Sequence, residues 1–111
     1  MIAKLRYDHQ VFEIPDIVKA EGMKKFTGLM FKKQDANALL FEEPGSIHSF
    51  FCPDFLGIWL DDNNKIVDFK LVTSNRASVK PDKPFAKLLE IPLNEKYSEI
   101  TKVFLEKKSE S

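Results

Sequence analysis

One cysteine, two histidines and no net charge leave this sequence short of what many functional classes require. A lone Cys52 cannot form an internal disulfide, which agrees with a reducing compartment. Seventeen basic residues are cancelled by seventeen acidic ones, so no global field would draw in a phosphate backbone or an anionic membrane, and nucleic acid is disfavoured as a partner. No apolar run approaches the length of a membrane span, and Lys4, Arg6 and Asp8 place charges where a signal peptide needs an apolar stretch. The expectation is a cytoplasmic protein without a membrane partner. There is no P-loop, dinucleotide fingerprint, G-x-S-x-G or Cys-x-x-Cys, and therefore no motif from which to expect a cofactor. Internal repeats and low-complexity segments are absent too.

What is present is an ordinary globular composition, 43% hydrophobic with ten Phe and 31% charged. A chain of 111 residues fits one domain, 1–111, and at that size buries roughly two-thirds of its unfolded surface, enough for one core. Residues 107–111 are expected to fray.

The stretch from Gly45 to Leu71 organises the rest. Three runs rich in aromatic and β-branched residues, Ile47 to Phe51, Phe55 to Leu60 and Ile66 to Val72, are separated by Cys-Pro-Asp and Asp-Asp-Asn-Asn, which predicts three strands in a meander. Along the middle run Leu56, Ile58 and Leu60 share one face while Gly57 and Trp59 share the other. Both faces are apolar, the pattern of a strand covered on two sides. Further strands are predicted over Ile2 to Tyr7, Val11 to Ile14, Ala38 to Phe41 and Phe85 to Ile91. Asp16 as N-cap, with Ile17, Ala20, Met23 and Phe26 every third residue, predicts a short amphipathic helix over Asp16 to Thr27, closed by Gly28. The end is ambiguous: Tyr97, Ile100, Val103 and Phe104 suit a helix, whereas Val103 to Leu105 reads equally as a last strand. The expected fold is mainly β (α+β), a single antiparallel β-sandwich or partly open barrel with one short helix near the N-terminus.

Five segments in order carry a resemblance. Gly28-Leu29-Met30-Phe31, His48-Ser49-Phe50-Phe51, Leu60-Asp61, Asn64-Lys65-Ile66-Val67 and Leu89-Glu90-Ile91-Pro92 resemble domain-of-unknown-function family 192, whose members carry R-G-L-M-F, H-T-F or F-W-M, P-L-D-V-x-F-L-D, D-G-x-V and L-E-x-P-A-G. It spans about Val11 to Leu93 and implies a compact, mostly β domain with a short helix and no established activity. Matched residue by residue, it carries over Gly28, Leu29, Met30, His48, Asp61 and Glu90. The chain departs from the pattern where the arginine falls at Phe26 or Thr27, the first Asp of the P-L-D block at Leu56, and the closing Ala-Gly at Leu93-Asn94. A polar site built on those positions would be partly lost here or moved to Asp54.

The candidate ligand-binding residues are His48, Asp54, Asp61, Arg76 and Glu90. His48, Cys52 and Asp54 offer metal-ligating groups, yet four residues of extended strand span about 13 Å where two ligands of one ion lie within about 4 Å, so no metal site is expected. The same distance stands between Cys52 as a nucleophile and His48 as its base, and a free cysteine is ordinarily a small buried hydrophobe. Asp61-Asp62-Asn63-Asn64 starts like a calcium loop, but position twelve is Val72 where a bidentate Glu is required, and a hairpin turn is the better reading. Glu90 on a two-sided apolar strand needs a hydrogen bond or a cation, with Arg76 or Lys80 of the long loop Thr73 to Pro84 within reach; it is either a salt-bridged structural carboxylate or a ligand anchor. Three functions follow. The first is a small binding module that presents the Thr73 to Pro84 loop and the His48 to Asp54 edge to an unidentified small molecule or protein, as a monomer or weak homodimer. The second is an enzyme using His48, Asp54 and Glu90, and the third an RNA-associated protein using Arg76, Lys80 and Lys83.

Overall fold

A computed structural model describes residues 1–20, 36–42, 54–73, 81 and 83–110. Seven strands and one helix are formed by them. β1 (Ala3–Tyr7) and β2 (Gln10–Ile14) make a hairpin; β3 (Val18–Lys19), β4 (Leu39–Glu42), β5 (Phe55–Leu60), β6 (Ile66–Val72) and β7 (Lys87–Pro92) make a sheet of order β3-β4-β7-β5-β6. A 3-10 turn at Glu95–Tyr97 leads into the helix α1, Ser98–Glu110. β5 and β6 begin and end where the apolar runs do, and all six residues of β5 are buried.

That two-sided burial follows from the alternation along β5. Leu56, Ile58 and Leu60 enter a core with Leu5, Ile14, Phe69, Ile91, Tyr97 and Phe104, so the hairpin and α1 cover this face. Phe55 and Trp59 enter a second core with Leu39, Phe41, Val72 and Leu88. α1 presents Tyr97, Ile100, Thr101 and Phe104 at helical spacing, and Tyr97, Thr101 and Phe104 are buried.

Three expectations are corrected. The expected all-antiparallel arrangement is mixed in the larger sheet, where β3 runs parallel to β4, and both sheets are open among the described residues. The helix lies at the C-terminal end of the described chain, where Tyr97 to Phe104 was ambiguous. Asp16 to Ala20 do not begin a helix: the Val18 N–H donates to the Ala38 carbonyl at 2.9 Å and the Ala20 N–H to the Leu40 carbonyl at 2.8 Å. Asp16 sits at φ 54°, in the left-handed region rather than the extended one an N-cap adopts. Ile17 and Ala20 are both buried, but in different cores, so their three-residue spacing comes from an extended segment meeting both layers. The remainder of that expected helix, 21–27, and the expected strand at 47–51 lie outside the described residues.

Candidate functional site

Strand register places one carboxylate at the centre of the sheet. On the face of Trp59, Leu39 pairs with Glu90, Glu90 with Gly57 and Gly57 with Lys70, so one row across four strands reads Leu39, Glu90, Gly57, Lys70. Directly paired residues share a face. The next row reads Phe41, Leu88, Trp59, Asp68, and on the other side Phe55 stands between Pro92 and Val72. Glu90 is only 3% exposed, a depth at which a carboxylate needs hydrogen bonds or a counter-charge. Lys70 is half-buried two strands away.

Gly57 makes room in this row for the ring of Trp59. A Cβ there would stand 3.2 Å from Trp59 Cη2, 3.3 Å from Cζ3 and 3.5 Å from Val72 Cγ2, so the far edge of the indole occupies the space of the missing side chain. Trp59 is fully buried and stacks edge-on to Phe85 at 6.4 Å, yet its Nε1 has no hydrogen-bond partner among the described residues. A buried N–H without an acceptor is uncommon enough to need a reason. Glu90, Lys70 and Trp59 thus belong to adjacent rows on one face of the sheet. Gly57→Ala is expected to push the indole from its seat. A loss of about 1 kcal/mol and a changed near-ultraviolet circular dichroism spectrum of the single tryptophan would register it.

Of the expected site residues, Asp54, Asp61 and Glu90 are among the described residues, and they lie apart. Asp54 is exposed just before β5, three residues from Gly57 and thus roughly 10 Å along the strand from the Glu90 row. Asp61 closes the opposite end of β5. There its Oδ1 accepts the N–H groups of Asn63 at 2.8 Å and Lys65 at 2.9 Å, and Asn64 takes φ 62° to complete the turn. Arg6 caps the same turn by donating to the carbonyls of Asn63 and Asn64, each at 3.0 Å. The Lys65 amide holds the Asp61 carboxyl below its ordinary pKa; partial burial opposes this, while the Asn63 amide and the charges of Arg6 and Lys65 reinforce it. Asp61 is committed to the hairpin turn.

A carboxylate with a depressed folded pKa contributes stability above the ordinary carboxylate range and loses it as pH falls through the folded value. Asp61→Ala should therefore melt a few degrees lower than the wild type at neutral pH. The gap should close when both are melted well below pH ~4, the unfolded carboxyl pKa.

His48, Arg76, Cys52, Lys80 and the Gly28, Leu29, Met30 segment lie outside the described residues. Among the described residues no cluster of three or more His, Cys, Asp or Glu side chains is placed to hold a metal ion, and no helix is long and apolar enough to cross a membrane. Lys70 and the Trp59 N–H went unrecognised in the sequence. Gly-x-Trp within a strand was the available signal, since a glycine leaves room for a large ring on the same face to lie over it.

No family model matches the chain. Over 55 residues it is 44% identical to the UPF0127 protein TK1120 of Thermococcus kodakarensis, across 43% of this chain and 35% of that protein. The chain thus spans about a third of the length of this curated relative, a member of an uncharacterised family. A protein of unknown function from Novosphingobium aromaticivorans shares the fold, with a TM-score of 0.65 and 12% identity over 90% of this chain and 79% of that one. Neither name indicates a catalytic function.

Proposed function

We propose that the chain is a small cytoplasmic binding module of domain-of-unknown-function family 192 that takes a polar small molecule on the sheet face of Glu90. The observation that carries this is Glu90 itself, 3% exposed in mid-sheet beside a glycine and a tryptophan whose N–H has no partner among the described residues. His48, Asp54 and Arg76 remain proposed contributors from the segments around β5 and β6.

A thermal-shift screen of wild type, Glu90→Gln and His48→Ala against nucleotides, sugars, amino acids, metal ions and short RNA tests the proposal. A ligand at a hundred times its dissociation constant adds about 2.7 kcal/mol, which moves the midpoint of a domain this size by several degrees. The expected result is a shift in the wild type that Glu90→Gln abolishes. A shift that survives in both variants, or none with any compound, would overturn it.

A further inference from the structure

The two outer edges of the β1–β2 hairpin differ. Along β1 the Arg6 N–H donates to the Asn64 carbonyl at 3.0 Å and Arg6 bridges Lys65 in parallel, so this edge runs against the start of β6. Because that amide points away from β2, Arg6 and Val11 form a non-hydrogen-bonded pair of the hairpin ladder, and the alternation of such pairs makes Lys4 and Glu13 the next one. Val11 and Glu13 therefore turn their N–H and C=O groups out of the other edge, where no described strand pairs with them. Val11 is 61% exposed, and Glu13 is exposed beside it. We propose that this edge of β2 is an interface with a second copy of the chain, the two β2 strands pairing antiparallel about a two-fold axis at Phe12.

An open strand edge is a template for another strand, and the register makes this one self-complementary. With the axis at Phe12, Val11 stands opposite the partner's Glu13 and Glu13 opposite the partner's Val11. Every outward-facing group then meets another, and four main-chain hydrogen bonds close in an isologous contact. An axis at Val11 would set Glu13 against the partner's His9 in the turn. An axis at Glu13 would set two carboxylates face to face and place Val11 opposite the partner's Pro15, which has no N–H. The Phe12 register also orders the charges. On the outer face one row becomes Arg6, Val11, the partner's Glu13, the partner's Lys4, so each Glu13 keeps the Lys4 that it pairs with at 3.8 Å and meets a valine rather than another acid. On the inner face the two half-buried Phe12 rings meet in a closely spaced pair. The helices leave room for this. Phe104 packs between Phe12 of β2 and Phe69 of β6, and Lys107 stands over Tyr7 at 5.6 Å and Phe12 at 5.9 Å, so α1 lies over β1, one strand in from the open edge. Across the pair the two helices would stand three strand spacings apart, about 14 Å, against the roughly 8–10 Å of packed helices.

The contact is below the roughly 1,200 Å² of a stable complex, so it is weak. Sedimentation equilibrium of the full chain up to about 1 mM, with amide hydrogen exchange followed by NMR, tests it. The expected result is a reversible monomer–dimer equilibrium in which the Val11 and Glu13 amides gain protection as concentration rises. Val11→Glu sets a carboxylate against the partner's Glu13 in both halves of the contact and should abolish the dimer in this range. Val11→Lys sets an ammonium there and should tighten the dimer about tenfold through two cross-strand ion pairs. Val11 is on the surface, so both variants should keep the fold. Glu90 belongs to the other sheet, and Glu90→Gln should dimerise like the wild type, which separates this interface from the site proposed above. A monomer at every concentration, equal association of Val11→Glu and Val11→Lys, or protection gained elsewhere but not at Val11 and Glu13 would overturn the proposal; the first would leave the edge to an extended peptide of another protein.

Discussion

Phe104→Ala is expected to cost about 3–5 kcal/mol, a large part of the roughly 5–15 kcal/mol that holds a domain folded. Phe104 is fully buried, and its ring meets Phe12 of the hairpin at 5.0 Å and Phe69 of β6 at 5.1 Å. Phe69 in turn stacks edge-on to Tyr7 at 5.6 Å. One side chain therefore joins helix, hairpin and sheet, and its removal leaves a cavity whose walls belong to three elements that cannot all close on it. Urea unfolding should show the midpoint falling sharply while Val103→Ala, one residue earlier and 39% exposed, stays within about 0.5 kcal/mol of wild type. Phe104→Leu, which keeps most of the volume, should recover more than half of the loss. A cost below about 1 kcal/mol for Phe104→Ala, in the range of ordinary surface substitutions, would mean that α1 is not docked on this face.

Phe104 also shows what could be read in advance. Local periodicity sufficed for β5 and β6, because β5 is apolar on both faces, β6 is rich in β-branched and aromatic residues, and turn residues separate the two. It left α1 ambiguous because Thr101 takes a buried position on the helix stripe with a polar side chain, while Val103, an exposed neighbour, imitates a strand with Phe104 and Leu105. It failed at Ile17 and Ala20, where tertiary pairing with β4 decides the conformation and no local signal reports it. The site divides the same way. That Glu90 would be buried followed from the strand that carries it. That Gly57 and Lys70 would share its row depended on the register of segments thirty-three and twenty residues away in sequence, which a single sequence does not encode locally.

Tyr97→Phe, the loss of one oxygen atom, is expected to cost about 2 kcal/mol and to lower the melting midpoint by roughly 10 °C, at the 4–8 °C per kcal/mol usual for domains near this size. Tyr97 is fully buried. Its hydroxyl accepts the Ala38 N–H at 2.9 Å and donates towards the carbonyls of Pro15 at 3.0 Å and Asp16 at 3.1 Å. These are the points where the chain enters β3 and β4, so one phenol ties the start of α1 to the parallel strand pair that local sequence did not reveal. Without the oxygen the aromatic packing persists, but the buried Ala38 amide loses its acceptor and two carbonyls lose their donor, and the full desolvation penalty of the amide is felt. The damage should be local. Hydrogen exchange of the Ala38 amide is expected to speed up far more than that of the β5 and β6 amides, whose ladder Tyr97 does not touch. If protection at Ala38 were unchanged in Tyr97→Phe, the hydroxyl would not be its acceptor, and the tie between α1 and the β3–β4 pair would rest on packing alone.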